Sequence, residues 1–140
     1  MRIDVLGVGF DNCTMDQAVA EGIRLMGDGG CHYVVTPNPE IVEMCREDEE
    51  VRRIINGADL VLPDGVGVIY AARMLGTPLK EKVPGVDFAQ KLMASMAGSG
   101  KTLFLLGAKP GVAEEAGRRP EAAYPGLRIV RTHDGYFQED

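Results

Sequence analysis

The sequence predicts an α/β fold in which helices flank a largely parallel, Rossmann-like sheet. Three observations lead to this prediction. Short apolar runs alternate with amphipathic helical patterns along the chain. The turns between them are short, and no linker or internal repeat divides the sequence. Strands that alternate with helices in this way are typical of βαβ units. A single α/β domain is therefore expected over residues 1–140.

The N-terminal segment predicts a strand over Arg2–Val8, which Val8–Asp11 continues beyond a glycine-containing bend. Thr14 and Gln17 have the spacing of a capping box, so a helix should begin directly after Thr14. Glycines from Gly27 onward should end this helix. Its inward face is predicted to contain Met15, Ala18, Val19, Ile23 and Met26.

The middle of the chain predicts two strands, each followed by a helix. The β-branched segment His32–Thr36 forms the first strand, and Asn38 with Pro39 starts a helix, since asparagine suits the N-cap and proline the first helical position. Asp48 should cap a further short helix. Leu60–Leu62 is a short, continuous apolar strand of the kind that is covered on both faces.

The C-terminal half continues the alternation. Pro110–Gly117 should open a helix that Pro120 cuts short, because an interior proline lacks the N–H group that a helix needs. The other predicted elements are helices over Gly65–Leu75 and Val86–Ala97 and strands over Thr102–Leu106 and Leu127–Arg131.

The composition indicates an ordinary cytoplasmic protein. Hydrophobic residues make up 45% and charged residues 26% of the chain. No apolar run is long enough to cross a bilayer, and the N-terminus lacks a signal-peptide pattern. The net charge of −6 should repel nucleic acid and anionic lipid at long range. Nucleic acid is therefore not an expected partner, and membrane contact through a basic patch is not expected either.

The three cysteines, Cys13, Cys31 and Cys45, do not indicate a disulfide framework, because their number is odd and they are widely spaced. They do not have metal-ligand spacing with His32 or His133 either, so no metal site is predicted. Three buried or half-buried thiols are expected.

The candidate site follows from the two central strands. Ligands of open α/β sheets bind beyond the carboxyl ends of the strands. If the two strands are neighbours, Thr36, Asn38 and Asp64 line one crevice at this rim. Gly65 and Gly67 would let a ligand approach the backbone closely. Asp64 is the one carboxylate at this strand end and could act as a general base.

Structural explanations compete with this hypothesis. Asn38 with Pro39 is an efficient helix start without any ligand, and Asp64 could simply cap the next helix; the pattern alone favours that structural role for Asp64. Residues 98–102 resemble the end of a phosphate-binding loop, but the expected order of strand, loop and helix is reversed. Gly65 and Gly67 also resemble a dinucleotide fingerprint, but Tyr70 occupies the third glycine position.

Residues 36–40 (TPNPE) and 58–68 (ADLVLPDGVGV) resemble the WecG/TagA/CpsF family of glycosyltransferases. The resemblance runs nearly end to end and includes residues 5–8, 83–87, 105–113 and 134–137. It implies an inverting hexosyltransferase that moves N-acetylmannosamine or a related sugar from its UDP derivative. The acceptor implied is undecaprenyl-diphosphate-linked N-acetylglucosamine, in teichoic acid or another envelope polysaccharide. Neither a cofactor nor a metal is implied.

The resemblance also assigns roles. Asp64 matches the proposed catalytic base of the family, and Thr36 and Asn38 match positions near the nucleotide sugar, so Asp64 and Thr36 are the candidate catalytic residues. An inverting displacement needs one base for the attacking hydroxyl. Gly65 and Gly67 should approach the donor, as should Gly107 at the end of the strand Thr102–Leu106; these assignments rest more on geometry than on the family.

Family members usually continue past Gly135-Tyr136-Phe137 and end in a basic appendage that reaches the membrane. The chain is therefore expected to be incomplete relative to the family and to belong to a protein at the inner face of the cell membrane. An unfinished sheet leaves an exposed strand edge, which favours a homo-oligomer. Two alternatives stay open: a non-catalytic UDP-sugar-binding remnant or scaffold, and a dinucleotide-dependent oxidoreductase.

Overall fold

The computed structural model describes residues 1–138 and confirms the α/β class. It contains two compact units, one over Met1–Ala89 and a second that begins at Gln90. The single domain expected over residues 1–140 stays a prediction. The described strands form three two-stranded pairs, of which one is antiparallel and two are parallel. Parallel pairing is thus confirmed, but the pairs do not join into one continuous sheet.

The first unit contains four short strands and four complete helices. The strands are β1 (Arg2–Val5), β2 (Val8–Asp11), β3 (Val34–Val35) and β4 (Leu60–Val61). The helices are α1 (Met15–Gly27), α2 (Pro39–Glu47), α3 (Glu49–Asn56) and α4 (Val66–Met74). Helix α5 (Gly85–Met96) starts in the first unit and ends in the second, which also contains β5 (Thr102–Leu106), α6 (Val112–Ala123) and β6 (Arg128–His133).

The prediction that Val8–Asp11 continues the first strand is wrong. β1 and β2 form an antiparallel hairpin in which Val5 lies opposite Val8. The two turn residues, Leu6 and Gly7, have φ values of 53° and 94°. Two successive left-handed residues make the tight turn that matches the twist of a hairpin. Leucine is uncommon in this conformation, so the turn has no sequence signal at its first position.

The predicted helix starts are confirmed. The Thr14 hydroxyl accepts a hydrogen bond from the Gln17 amide, and the Gln17 side chain accepts one from the Thr14 amide. Asn38 caps α2 by accepting from the amide of Ile41 at 3.0 Å. Asp48 caps α3 through the amides of its first turn. Such caps satisfy amides that have no partner within the helix, and each typically contributes about 1 kcal/mol.

The predicted inward face of α1 is partly wrong. Ile23 is 44% exposed, whereas Leu25 is 7% exposed and lies inside with Ala18 and Gly22. The buried residues are spaced at three and four positions, so the helix is rotated relative to the expected face.

The core of the first unit lies between the hairpin, β4 and α4. Its most deeply buried side chains include Val5, Val8, Phe10, Val61 and Val68. No backbone ladder joins β2 to β4. Instead, the carboxylate of Asp11 at the end of β2 accepts a hydrogen bond from the Val61 amide at 2.8 Å. This side-chain bond explains how the hairpin lies beside the parallel pair without extending its sheet.

In the second unit, β5 and β6 pair in parallel and α6 packs on one of their faces. The prediction that Pro120 ends α6 is wrong, because the helix runs to Ala123 and the Tyr124 amide still donates to the Pro120 carbonyl. The proline removes one helical hydrogen bond. Gly117 on the same helix packs closely against Ile129 and Leu105 of the two strands.

Candidate active site

The parallel pairing of β3 with β4 brings the two predicted site segments to one rim. Val34 lies opposite Leu60 and Val35 opposite Val61, so both strands deliver their carboxyl ends to the same side. The regular ladder ends here because Pro37 and Pro63 have no amide hydrogen to donate. The Asp64 amide still donates to the Pro37 carbonyl at 3.4 Å. The predicted proximity of Thr36 and Asp64 is thus confirmed.

Asp64 does not cap the helix that follows it. The N-cap of α4 is Gly65, with φ of 101°, and no side chain caps this helix. The Asp64 Oδ2 atom instead accepts a hydrogen bond of 3.2 Å from the amide of Gly85, the first residue of α5. Asp64 is therefore not the cap of the next helix, and that structural alternative is wrong. The Asp64 side chain instead joins two loops that are distant in sequence.

The second carboxylate oxygen of Asp64 is available to a ligand. Among residues 1–138, neither Asp64 Oδ1 nor the Thr36 hydroxyl has a hydrogen-bond partner. Every buried side-chain oxygen or nitrogen in this range has a hydrogen-bond partner. Because Asp64 Oδ1 and the Thr36 hydroxyl have none, both groups reach solvent. An accessible carboxylate oxygen and an accessible hydroxyl at one rim can accept a proton and orient a hydroxylated substrate.

Thr36 and Gly85 are in close contact. A Cβ atom added to Gly85 would lie 2.9 Å from Thr36 Oγ1 and 3.0 Å from Thr36 Cγ2. Only a glycine at this position leaves room for the threonine side chain while its amide donates to Asp64. Gly85 was not predicted to be a site residue. The signal available was a glycine at the predicted start of α5, directly after Val83 and Pro84.

The glycines after Asp64 have packing roles that were not foreseen. A Cβ atom on Gly67 would lie 2.7 Å from Pro39 Cγ, and one on Gly65 would lie 3.4 Å from Pro39 Cδ. Both glycines therefore let the start of α4 approach the start of α2. Asn38 uses its side-chain oxygen as the cap of α2, as the structural explanation predicts. Substrate contacts for Asn38, Gly65 and Gly67 stay predictions.

A second polar cluster lies at the opposite ends of the two strands. His32 precedes β3, and its ring nitrogens contact Asp59 Oδ1 at 2.9 Å and both Asp28 carboxylate oxygens at 2.8 Å. Hydrogen bonds that the His32 ring donates to the carboxylates of Asp28 and Asp59 raise the pKa of His32. The pKa values of both carboxyls are lowered, that of Asp28 mainly by the Gly30 amide and that of Asp59 mainly by His32. This cluster ties the end of α1 to the amino ends of β3 and β4, away from Asp64.

Gly107 lies in the second unit, at the carboxyl end of β5. Its φ is 135° and its amide donates to the His133 carbonyl at 2.9 Å. A cavity of about 240 Å³ near this strand end is lined by residues that include Glu114, His133 and Asp134. The two carboxylates disfavour a diphosphate there. The predicted role of Gly107 at the donor stays a prediction.

The three cysteines differ in their exposure to solvent. Cys45 is buried and Cys13 half-buried, as expected, and burial raises the pKa of both thiols. Cys31 is exposed, so the expectation for this residue is wrong.

In the described part of the chain, no three histidine, cysteine or carboxylate side chains converge on a potential metal position. No helix between residues 1 and 138 has the length and apolarity that crossing a membrane requires.

Fold and rim together define an α/β protein whose candidate chemistry lies where two parallel strands end. The family of this chain follows from its sequence: residues 3–140 match the model of the glycosyl transferase WecG/TagA/CpsF family, and the chain belongs to that family.

Its curated relatives include enzymes of Staphylococcus aureus named N-acetylglucosaminyldiphosphoundecaprenol N-acetyl-beta-D-mannosaminyltransferase. Those of strains NCTC 8325 / PS 47, COL and N315 are each 32% identical over 138 residues. The match covers 97% of this chain and 54% of each relative, so the chain spans about half the length of these proteins.

Proposed function

We propose that the chain contributes the catalytic base of an inverting glycosyltransferase. The donor is the UDP derivative of N-acetylmannosamine or a related sugar, and the acceptor is undecaprenyl-diphosphate-linked N-acetylglucosamine. The product serves the synthesis of teichoic acid or another envelope polysaccharide. The relatives support the reaction, since their name describes a mannosaminyl transfer to this acceptor. The family match leaves the dinucleotide-dependent alternative without support.

One observation carries the proposal: Asp64 keeps one carboxylate oxygen accessible while its other oxygen is held by the Gly85 amide at 3.2 Å. A base fixed in this way can take the proton from an attacking sugar hydroxyl without reorienting. The accessible Thr36 hydroxyl, packed against Gly85, can hydrogen-bond the sugar that is attacked. In a single displacement the acceptor oxygen forms a bond to the anomeric carbon, the bond to UDP breaks, and the proton passes to Asp64.

The leaving UDP accumulates negative charge, which must be stabilised. Helix α4 starts at Val66, two residues after Asp64, and no side chain caps its first amides. Free amides at a helix N-terminus stabilise anions. We therefore place the diphosphate at this helix start, within reach of Gly65 and Gly67, with no metal required. The whole enzyme acts as a homo-oligomer at the inner face of the cell membrane.

A second candidate is a non-catalytic protein that binds a UDP-sugar or serves as a scaffold. The hydrogen bond from the Gly85 amide to Asp64 favours it, since this bond gives the carboxylate a structural role without any transfer. Both candidates bind a UDP-sugar, but only the first transfers the sugar to an acceptor.

Calorimetric titration with UDP and with UDP-N-acetylmannosamine tests binding, on this chain and on a chimera that continues it with the C-terminal half of the S. aureus relative. Transfer is then measured on the chimera with a short-chain lipid-linked acceptor. Asp64→Asn should abolish turnover and leave UDP affinity nearly unchanged, whereas Asp16→Asn, an exposed acid on α1, should change neither. UDP binding without transfer would favour the scaffold, and full activity of Asp64→Asn would exclude Asp64 as the base.

A further inference from the structure

The loop between α4 and α5 leads to the amide that holds Asp64, but it has no regular secondary structure. Residues 77–84 lie in neither a helix nor a strand. Gly85 is the first residue of α5, so its amide has no partner within that helix and donates to Asp64 at 3.2 Å. This distance is at the upper end of the usual range for an N–H···O hydrogen bond, so a small shift of the loop would weaken the bond. The hold on Asp64 therefore depends on the contacts that fix this loop.

Two buried side chains anchor the loop. Leu79 belongs to the core of the first unit, and Val83 is fully buried. The Val83 amide also donates to the Pro63 carbonyl at 2.8 Å. Residues 79–85 are here called the strap. Packing of apolar side chains has no preferred direction, so hydrogen bonds must set the orientation of the strap backbone.

The hydrogen bonds near the start of the strap come from the segment that precedes α1. Asn12 Oδ1 accepts from the Lys80 amide at 2.8 Å, and the Glu81 carboxylate accepts from the Met15 amide. Met15 is the first residue of α1, where an amide has no helical partner and the helix dipole favours a carboxylate. The Asn12 amide donates in turn to the Met1 carbonyl at 3.1 Å, which fixes the acceptor at the edge of the hairpin.

The strap is thus bound near both of its ends. Asn12 and Glu81 join its first half to the start of α1, and the Gly85 amide joins its last residue to Asp64. Only four residues separate Glu81 from Gly85, so a displacement of the first half changes the direction of the Gly85 amide. Thr36 packs against Gly85 and leaves little room for such a change.

We propose that Asn12 and Glu81 are positioning residues for the Asp64 carboxylate and act on it through the strap and the Gly85 amide. This inference rests on the proposed function, because it explains how the candidate base is oriented. Neither residue touches Asp64 by a hydrogen bond in the described part of the chain. Their effect is therefore indirect, and it should appear first at the Gly85 amide.

Amide hydrogen exchange, followed by NMR on the chain as it exists, tests this effect without requiring turnover. Asn12→Ala and Glu81→Ala each remove one hydrogen bond from the strap. Each should speed exchange of the Val83 and Gly85 amides about fivefold, the effect expected for one such bond on a local opening equilibrium. Glu81→Gln keeps an oxygen that can accept from the Met15 amide, so it should exchange like the parent chain.

Two control variants remove similar bonds elsewhere in the first unit. Asn56→Ala removes an asparagine whose Oδ1 accepts from the Gly9 amide at 2.9 Å, and Asp48→Ala removes the cap of α3. Both should leave exchange at Gly85 unchanged. Urea denaturation and exchange of the β1 amides report global stability in every variant, so they separate local release of the strap from general unfolding.

Transfer by the chimera described above gives a second readout. Asn12→Ala and Glu81→Ala should lower kcat about fivefold and leave the KM for the UDP-sugar nearly unchanged, because they misplace the base and not the donor. Glu81→Gln should restore kcat, and Asn56→Ala should not lower it. A matching change in kcat and KM would point to general destabilisation and would overturn the inference.

The inference and the proposed function fail in different experiments. Unchanged exchange at Gly85 in both alanine variants would overturn the inference even if the chimera transfers sugar, as would an equal rise in Asn56→Ala. Full activity of Asp64→Asn would exclude Asp64 as the base. Faster exchange at Gly85 in Asn12→Ala and Glu81→Ala would then still support their role in placing the Asp64 side chain.

Discussion

Replacing Gly85 by alanine tests the geometry of the candidate site directly. The added Cβ would lie 2.9, 3.0 and 3.2 Å from three atoms of the Thr36 side chain. Overpacking of this kind typically costs about 1–3 kcal/mol. Gly85 does not have a positive φ, so the backbone itself tolerates alanine, and reduced freedom of the unfolded chain returns up to about 1 kcal/mol. We expect a net loss of about 1–2 kcal/mol in unfolding free energy, measured by urea denaturation.

Gly27→Ala is the matched control, because a Cβ on Gly27 meets nothing within 4 Å. This variant should be as stable as the parent chain or slightly more stable. Thr36→Ala removes the two closest atoms, so in the double variant it should restore part of the stability lost in Gly85→Ala. A coupling of about 1–2 kcal/mol is expected for side chains in direct contact. If Gly85→Ala were as stable as Gly27→Ala, or the two changes were additive, the contact between Thr36 and Gly85 would be refuted.

Two further predictions concern titratable groups. Stability from the cluster of Asp28, His32 and Asp59 should be fully present between about pH 4 and about pH 6.5. It should fall as acid protonates the carboxyls through their lowered pKa values, and as base deprotonates His32 through its raised pKa. Urea midpoints against pH should show this plateau in the parent chain, whereas His32→Gln should lack the fall on its alkaline side; identical profiles would contradict it. Under native conditions Cys31 should react first with a maleimide and Cys45 last, as measured by mass spectrometry, because Cys31 is exposed and Cys45 buried. Fast modification in Cys31→Ser would contradict this order.

Features set by neighbouring residues were predictable. The capping box of Thr14 with Gln17, the Asn38 cap and the Asp48 cap each depend on hydrogen bonds within three residues, and all three are present. β5 was predicted at its exact bounds, Thr102–Leu106. The segment after Gly98 is the helix–strand turn that was expected there in place of a phosphate-binding loop.

Features set by packing were not predictable. The left-handed Leu6 turns the first two strands into a hairpin, although a leucine does not signal a turn. Ile23 is exposed and Leu25 buried because the core decides which side of α1 faces inward. Pro120 lies inside α6, whose Gly117 packs against Ile129 and Leu105, two partners that the sequence around Pro120 does not contain.

The sequence by itself determined the α/β class, the family and the identities of the rim residues Thr36 and Asp64. The tertiary structure decided that the Asp64 carboxylate accepts a hydrogen bond from the Gly85 amide, 21 residues away. It also decided that one face of α4 is exposed to solvent. The reason is physical: caps and turns arise from bonds between residues a few positions apart, which a short window of sequence contains. Contacts between distant segments depend on how whole elements pack, and no such window contains both partners.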